Sequence, residues 1–252
     1  MKTPCPPEDW YKQYFKEPYG LFYHDFLVPE RMSRSEAEFV MTAVDLKACR
    51  ALLDCPCGYA RHFPYFETRC DCVYGLDLSA DCPARAKETN PACRIVQGDM
   101  RALPFSAGKF DLVLNLFNSF GYFCDADNCR VLSEFARVMS DEGKFILDIS
   151  NPESIRRIVR KTPRTRQQIG GLEVIEDWAF DDATGTLTNH GKFILGRRKV
   201  QRSYTIRLYT REEFEEITAA AGLKILRVFG GMDARPFESI SSRIILLGEK
   251  RR

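Results

Sequence analysis

Three short hydrophobic runs in the first half of the chain each end on an acidic residue. The runs cover residues 51–53, 73–76 and 94–98, and the acids that follow them are Asp54, Asp77 and Asp99. Short apolar runs of this kind are typical of buried parallel strands. A carboxylate at the carboxyl end of such a strand lies in the crevice where open α/β sheets bind ligands. The pattern therefore predicts a ligand site made by three strand ends.

Hydrophobic strands and amphipathic helices continue to alternate along most of the chain. Helices are predicted at 8–15, 33–46, 61–68, 79–88 and 125–139, and strands at 110–116 and 143–149. Thr210 and Glu213 form the pattern of a capping box, which predicts a helix that ends at Gly222. Strands at 223–229 and 242–248 are predicted to follow it. This alternation predicts a parallel sheet with helices on both faces.

The pattern changes between residues 151 and 209. Polar and apolar residues alternate at 172–180, 186–195 and 200–208, and the first two of these stretches are separated by the turn-forming segment 181–185. Strict alternation with turn residues between the stretches is typical of antiparallel strands. We therefore predict an antiparallel meander inserted into the α/β core.

Composition agrees with one ordinary enzyme-sized core. The chain has 252 residues and a net charge of +2, which is too small and too dispersed to indicate a nucleic-acid partner. We expect no membrane partner and a cytoplasmic location, because the sequence lacks a basic-then-apolar leader and an apolar run of about twenty residues. In that compartment the ten cysteines are expected to be thiols. One sequence does not indicate the oligomeric state.

Two closely spaced cysteine pairs invite a zinc interpretation. They are Cys55 with Cys57 and Cys70 with Cys72. Four thiolates can close a tetrahedral zinc site, but zinc-binding pairs are usually separated by two to four residues and these by one. We therefore predict buried thiols and no metal.

The first hydrophobic run leads into a tight turn that carries small residues, at 54–62. Small residues are needed where a backbone must approach a ligand closely. Asp77 follows at about the twenty-residue spacing that separates such a turn from a ribose-binding carboxylate. Asp99 can accept from an exocyclic amine, and the Met100 thioether beside it can pack on a base. Together these residues predict an adenosine site.

At this point the chain resembles the class I S-adenosylmethionine-dependent methyltransferases. The matching segments are 53–62, 75–79, 97–105 and 109–123. The resemblance implies a Rossmann-like, doubly wound, seven-stranded α/β sheet whose last strand is antiparallel, with S-adenosylmethionine as the cofactor. It implies that Asp54 and Gly58 line the methionine end of the cofactor. The full set of cofactor candidates is Asp54, Pro56, Cys57, Gly58, Arg61, Asp77, Leu78, Asp99, Met100 and Asn115.

The turn departs from the usual acidic-x-Gly-x-Gly-x-Gly pattern of this family. Pro56 and Ala60 stand where the first and third glycines are common. Proline at the first position occurs in relatives, and Ala60 is expected to add only a methyl group at the start of a helix. We expect the chain to keep the cofactor site, with Pro56 and Ala60 weakening its affinity for the cofactor.

The resemblance also implies a division of the chain. Residues 1–48 form an N-terminal helical lid, 49–150 the cofactor-binding core, 151–209 the antiparallel insertion that covers the substrate, and 210–252 the rest of the core. The alternative for the aromatic N-terminal segment is a fixed helix that covers the core.

The implied reaction is methyl transfer to a nitrogen or oxygen atom of a small molecule. Residues 115–118 lack the Pro-Pro-aromatic motif that methylates exocyclic amines of bases. The remaining alternatives are a non-catalytic protein that binds S-adenosylmethionine or S-adenosylhomocysteine, and an RNA methyltransferase. A nicotinamide oxidoreductase would need a Gly-x-Gly-x-x-Gly turn, which this sequence lacks.

Residues for the acceptor side follow from the same resemblance and from the aromatic stretches. The catalytic candidates are Tyr14, Tyr122 and Asp233, and the substrate candidates are Tyr11, Tyr19, Tyr122, Trp178, Arg207 and Arg243. Packing on the core is the alternative for Trp178, and a surface turn is the alternative for Asp233. Among the histidines, His62 is expected to be structural, and the sequence does not select a general base.

Overall fold

The computed structural model describes residues 10–15, 22 and 26–251. Its main sheet has the strand order β10-β11-β5-β4-β1-β2-β3. These strands are β1 (Ala51–Asp54), β2 (Cys72–Asp77), β3 (Arg94–Gln97), β4 (Phe110–Asn115), β5 (Met139–Ser150), β10 (Leu223–Phe229) and β11 (Arg243–Lys250). Only β11 among them runs antiparallel to its neighbours, β5 and β10. The predicted fold class is confirmed, including the antiparallel last strand.

Seven α-helices lie in the part of the chain that the structure describes. They are α1 (Trp10–Tyr14), α2 (Glu30–Ala43), α3 (Phe63–Phe66), α4 (Asp81–Thr89), α5 (Asp125–Val138), α6 (Pro152–Lys161) and α7 (Arg211–Ala220). No described helix is long and apolar enough to cross a membrane.

Hydrophobic side chains fill the space on both faces of the main sheet. On one face, α5 and α7 contribute the fully buried Phe135 and Phe214. On the other face, α2 and α3 contribute Phe39 and Phe63. Because the central strands are covered on both sides, they read as continuous hydrophobic runs rather than as alternating ones.

The insertion forms a second, four-stranded antiparallel sheet. Its strands are β6 (Arg164–Ile169), β7 (Leu172–Asp181), β8 (Thr186–Leu195) and β9 (Arg198–Arg207), paired in chain order. The predicted meander is confirmed, and it has one strand more than the sequence indicated. The polar strand β6 was missed because it lacks the apolar alternation that marked the other three.

Two predicted helices were wrong in detail, and one helix was missed. The helix predicted at 61–68 is shortened to the single turn Phe63–Phe66, because the chain first turns through Ala60 in the left-handed region. The helix predicted to begin at Ser33 or Ser35 begins three residues or more earlier, at Glu30. Helix α6 was not predicted, although Asn151 caps it and Pro152 occupies its first turn.

The helix predicted after Thr210 is confirmed together with its cap. The Thr210 hydroxyl accepts from the Glu213 backbone N–H at 3.2 Å, and the Glu213 carboxylate accepts from the Thr210 N–H at 2.8 Å. Gly222 follows the helix with a φ of 77°. This reciprocal pair satisfies two backbone donors that a helix start otherwise leaves without partners.

Gly121 packs directly against the backbone at the end of β9, and this contact gives a stability prediction. A Cβ atom on Gly121, whose φ is 92°, would lie 2.0 Å from the Arg207 carbonyl oxygen. Gly108 has a φ of 70° with nothing within 4 Å of its Cβ position. We expect Gly121→Ala to lower the free energy of unfolding by about 1–3 kcal/mol more than Gly108→Ala does, as overpacking does. Urea denaturation of both variants measures the difference, and equal losses would contradict the collision.

Candidate functional site

A large cavity lies at the carboxyl ends of β1 to β4. Its volume is about 1610 Å³, whereas pockets for a single small ligand typically measure about 300–1,000 Å³. The cavity therefore has room for two small ligands side by side.

Most of the predicted cofactor residues line this cavity. They are Asp54, Pro56, Cys57, Gly58, Arg61, Asp77, Leu78, Asp99 and Met100. Of the residues predicted for the acceptor side, Tyr11 and Tyr122 also line it. The three strand-end carboxylates thus share one cavity, as the hydrophobic runs indicated.

The turn after β1 brings the backbone to the edge of the cavity. Gly58 has a φ of 53°, and a Cβ atom there would have nothing within 4 Å, so the cavity side of this turn is open. Ala60 adopts a φ of 60°, in the left-handed region that alanine rarely adopts. The prediction that Ala60 adds a methyl group at a helix start was wrong, because Ala60 takes a glycine-like conformation ahead of the helix. Pro56 follows a cis peptide bond.

Asp77 connects this turn to the end of β2. Its Oδ2 accepts from the Gly58 N–H at 2.9 Å, and its Oδ1 accepts from the Ser79 N–H at 2.9 Å. A carboxylate has about four acceptor positions, so both oxygens can still accept from a ligand. Burial raises the pKa of Asp77 above its ordinary value. The geometry suits a carboxylate that accepts from neighbouring hydroxyl groups.

Asp99 is held by Arg101, a residue that the sequence analysis missed. The guanidinium donates through Nε and Nη2 to Asp99 at 2.7 to 3.1 Å, and it also donates to Asp127 at 2.7 Å. Burial alone would raise the pKa of Asp99, but the hydrogen bonds from Arg101 outweigh burial and keep this pKa low. Arg101 also donates to the Tyr11 hydroxyl at 3.2 Å, which joins α1 to the Asp99 end of the cavity.

Asp54 lies at the bottom of the cavity and contacts a buried histidine. The His62 Nδ1 is 3.2 Å from Asp54 Oδ2, and the His62 Nε2 is 2.8 Å from Glu36 Oε2. Burial alone would lower the pKa of His62, but the hydrogen bonds to Asp54 and Glu36 outweigh burial and raise it. Burial alone would raise the pKa of Glu36, but the bonds from His62 and Arg61 lower it.

These two shifts predict how stability depends on pH. The folded-state pKa of His62 lies above its ordinary 6.5, so its contribution is complete below about pH 6.5 and is lost as pH rises through the folded-state pKa. Glu36, with a lowered pKa, contributes above its ordinary 4.5 and loses the contribution as pH falls. We expect His62→Asn to flatten the alkaline decline in the free energy of unfolding. Urea denaturation across pH 5.5 to 9 measures it, with the exposed His190→Asn as the control; an unchanged slope in His62→Asn would contradict the assignment.

Tyr122 follows β4 and packs against the first helix. Its ring centroid is 5.1 Å from that of Trp10, and the Trp10 Nε1 donates to the Tyr122 carbonyl oxygen at 3.3 Å. Burial raises the pKa of the Tyr122 hydroxyl well above its ordinary value. Tyr122 is therefore a protonated phenol at neutral pH, which can donate or accept a hydrogen bond but does not act as an anionic base.

The turn after β4 is strained and is held by a buried ion pair. Phe117 and Asn118 have φ values of 62° and 58°, a conformation that costs about 1–3 kcal/mol per residue. Asp148 accepts from the Phe117 N–H at 2.9 Å and, through its carbonyl, from the Asn118 N–H at 3.0 Å. Arg243 donates to both oxygens of the Asp148 carboxylate. Arg243 does not line the cavity, and its guanidinium supports the turn that places Phe117 in the cavity wall.

Tyr14 and Trp178 were both predicted for the acceptor side, but neither of them lines the cavity. Tyr14 is buried against the insertion, with its ring centroid 5.2 Å from that of Tyr204. Trp178 packs 6.0 Å from Tyr204 on the same sheet. The packing alternative for Trp178 agrees with this placement.

Arg207, Asp233 and Asn115 also lie away from the cavity surface. Arg207 is buried, and its guanidinium donates to Glu213. Asp233 is exposed and faces Arg235 at 3.5 Å. The Asn115 Nδ2 donates to the Cys55 carbonyl at 2.9 Å, and its buried Oδ1 has no hydrogen-bond partner among the described residues. Tyr19 lies outside the described residues.

The cysteines do not converge on a metal site in the part of the chain that is described. No three His, Cys, Asp or Glu side chains are grouped there as metal ligands. Cys55 and Cys57 are buried and free, and burial raises the pKa of both thiols. The Cys70 Sγ lies 2.9 Å from that of Cys49, away from the Cys55 pair.

Several cavity residues were not among the predicted site residues. The additional lining residues include Lys12, Gln13, Phe15, Glu30, Ser33, His62, Phe117 and Phe123. Glu30 and Ser33 lie on the first turns of α2, and the Ser33 hydroxyl accepts from Arg61 at 3.0 Å. Helix α2 lies close to the turn after β1 because of tertiary packing, and a local sequence motif does not predict such a contact.

Known proteins resemble this chain in sequence. The profile of a methyltransferase domain family matches residues 52–143. The dTDP-3-amino-3,4,6-trideoxy-alpha-D-glucopyranose N,N-dimethyltransferase of Streptomyces venezuelae is 27% identical over 194 residues, which cover 73% of this chain and 80% of that protein. The dTDP-3-amino-3,6-dideoxy-alpha-D-glucopyranose N,N-dimethyltransferase of Streptomyces fradiae is 26% identical over 201 residues, which cover 73% of this chain and 74% of that one.

A solved structure shares the fold over most of the chain. An S-adenosylmethionine-dependent methyltransferase from Clostridium acetobutylicum superposes with a TM-score of 0.79 at 17% identity, covering 87% of this chain and 92% of that one. The cavity of the present protein also fits this cofactor, since Asp77 suits a ribose and the open Gly58 turn permits close approach. Asp54 supplies a further carboxylate in the same cavity.

Four findings agree on the same type of protein. They are the strand order, the carboxylates that share one cavity, the matched domain profile and the named relatives. The chain therefore carries a methyltransferase domain over residues 52–143, and the findings together support an enzyme of the class I S-adenosylmethionine-dependent type, whose methyl donor is S-adenosylmethionine.

Proposed function

We propose that this enzyme methylates a nitrogen or oxygen atom of a small-molecule acceptor, and that an amine is the first class to test. The observation that carries the proposal is a cavity of about 1610 Å³ whose lining includes the carboxylates Asp54, Asp77 and Asp99 together with several aromatic side chains. A cavity of this size accommodates cofactor and acceptor together. The two Streptomyces relatives are named for amino sugars, which supports an amine.

Bound S-adenosylmethionine supplies a methyl group on a positively charged sulfur. The chain contributes positioning and exclusion of water, which together can provide much of the acceleration of an in-line transfer. Tyr11, Phe15, Phe117 and Tyr122 line the cavity and shield it with aromatic surface. Because Tyr122 stays protonated, its hydroxyl is suited to orient an acceptor by a hydrogen bond. A neutral amine needs no strong base, which favours an amine over a hydroxyl acceptor.

We propose that residues 1–48 cover the cavity and that the insertion at 151–209 supports this cover. Tyr11 and Lys12 of α1 line the cavity, whereas none of the described lining residues comes from the insertion. The opposite side of α1 packs on the insertion, where Trp10 and Tyr14 contact Tyr204. In this arrangement the insertion affects the acceptor through α1. Residues 49–150 and 210–252 then form the cofactor-binding core.

The test uses purified full-length protein with radiolabelled S-adenosylmethionine and three acceptor sets: small amines including amino sugars, matched hydroxyl compounds, and total RNA. Formation of S-adenosylhomocysteine and label in the acceptor are both measured. We expect acceptor-dependent turnover with at least one amine and none with its hydroxyl counterpart.

Two variants accompany this assay. Asp77→Ala removes a cavity carboxylate and should lower turnover at limiting cofactor by about tenfold or more, whereas the exposed Asp141→Ala should leave it unchanged. Label in RNA alone would contradict a small-molecule acceptor. Tight cofactor binding without turnover of any acceptor would support the non-catalytic binding protein instead.

A further inference from the structure

The buried His62 has a carboxylate at each of its ring nitrogens. Asp54 faces Nδ1, Glu36 faces Nε2, and all three side chains are at most 4% exposed. A neutral imidazole has one N–H donor and one lone pair, so one of the two carboxylates would face a lone pair. Double protonation gives both carboxylates a donor. The arrangement therefore holds His62 as an imidazolium.

The groups around His62 balance in charge. Arg61 is paired with Glu36 at 2.5 Å, so the buried set consists of two carboxylates, one imidazolium and one guanidinium. The uncharged neighbour is Phe66, whose ring centroid is 6.2 Å from that of His62. A buried carboxylate that loses its cation is strongly penalised. His62 thus supplies the counter-charge that holds the Asp54 carboxylate in this position.

The same contacts connect two walls of the cavity. Glu36 belongs to α2, which lines the cavity through Glu30 and Ser33, and Asp54 ends β1 at the floor of the cavity. The bond from His62 is to Asp54 Oδ2, and Asp54 lines the cavity, so Oδ1 is the oxygen that a ligand there would contact. An ammonium group is the natural partner of that oxygen.

We propose that His62 is a positioning residue, which fixes the Asp54 carboxylate for the ammonium of the amino-acid end of the cofactor and ties it through Glu36 to α2. This rests on the cofactor site described above and not on the identity of the methyl acceptor. The proposal separates the two ends of the cofactor, because the adenosine end contacts Asp77 and Asp99 and does not depend on His62.

Calorimetric titration with two ligands tests this separation. S-adenosylhomocysteine carries the amino-acid end, whereas 5′-methylthioadenosine keeps the adenosine and the sulfur but lacks that end. We expect His62→Asn to weaken S-adenosylhomocysteine binding about tenfold, as for the loss of an oriented charged hydrogen bond, and to change 5′-methylthioadenosine binding less than about twofold. Glu36→Gln should act in the same direction. His190→Asn, an exposed histidine on the insertion, should change neither affinity.

A pH series supplies a second readout. As pH rises, His62 loses its proton, and the unaltered protein should lose affinity for S-adenosylhomocysteine. The affinity of the His62→Asn protein should fall less over the same pH range. Equal weakening of both ligands in His62→Asn and Glu36→Gln, or unchanged binding of S-adenosylhomocysteine, would overturn the proposal. Failure to find a methyl acceptor would leave this result intact, because the titrations contain none.

Discussion

Replacing Asp148 with alanine is expected to lower the free energy of unfolding by about 3–5 kcal/mol, the usual cost of breaking a buried ion pair by removing one partner. Asp148 is fully buried, and Arg243 donates to both of its carboxylate oxygens. The substitution removes the carboxylate that accepts both hydrogen bonds from the Arg243 guanidinium. It also removes the acceptor for the Phe117 N–H, which is in a strained conformation. Both losses destabilise the same turn, the one that contains Phe117.

Urea denaturation of Asp148→Ala and Asp141→Ala measures this effect. Asp141 is 94% exposed and faces Lys250 at 3.3 Å, so its removal should change stability by less than about 1 kcal/mol. Because Phe117 lines the cavity, a partly relaxed turn should also weaken acceptor or cofactor binding in the Asp148→Ala protein. A loss no larger than that of Asp141→Ala would mean that the turn holds its conformation without the pair.

The cofactor half of the site was predictable because strand ends and chain order determine it. Asp54, Asp77 and Asp99 each follow a hydrophobic run, and adjacent parallel strands place such residues at one edge of the sheet. The resemblance to a known family added the identity of the ligand. Neither inference needed any knowledge of how distant segments pack.

The charge partners were not predictable, because they come from distant parts of the chain. Arg207 and Arg243 were predicted to face the substrate, yet they pair with Glu213 and Asp148. A single sequence indicates that a buried arginine needs a carboxylate but not which carboxylate is near. Arg101 illustrates the same limit, since its contact with Tyr11 spans 90 residues.

The missed backbone details have local causes that a pattern does not resolve. Ala60 was expected to add only a methyl group at the start of a helix, but it takes a left-handed conformation in the turn after β1. Pro64 lies in the first turn of α3, where proline is tolerated, so it gave no sign of how short the helix is.

The second large effect is expected from Asp77→Ala, which should weaken binding of S-adenosylhomocysteine by about 1.5–3 kcal/mol, or about 10- to 150-fold, as for lost hydrogen bonds to a charged group. The side chain also anchors the Gly58 and Ser79 N–H groups, so unfolding is measured alongside to keep the binding data on folded protein. Burial raises the pKa of Asp77, and protonation removes acceptor capacity. The unaltered protein should therefore lose affinity for S-adenosylhomocysteine as acid pH protonates Asp77. The Asp77→Ala protein has no carboxylate at this position, so its affinity should depend less on pH.

The choice of ligand distinguishes this effect from that of His62. Both S-adenosylhomocysteine and 5′-methylthioadenosine contain the ribose, so Asp77→Ala should weaken the two by similar factors, whereas His62→Asn should weaken only the first. Isothermal titration of both ligands against both variants, with Asp141→Ala as the surface control, makes this comparison directly. Affinities within about twofold of the unaltered protein in Asp77→Ala would place the ribose elsewhere in the cavity. A loss confined to S-adenosylhomocysteine would instead place Asp77 at the amino-acid end and reverse the orientation of the cofactor.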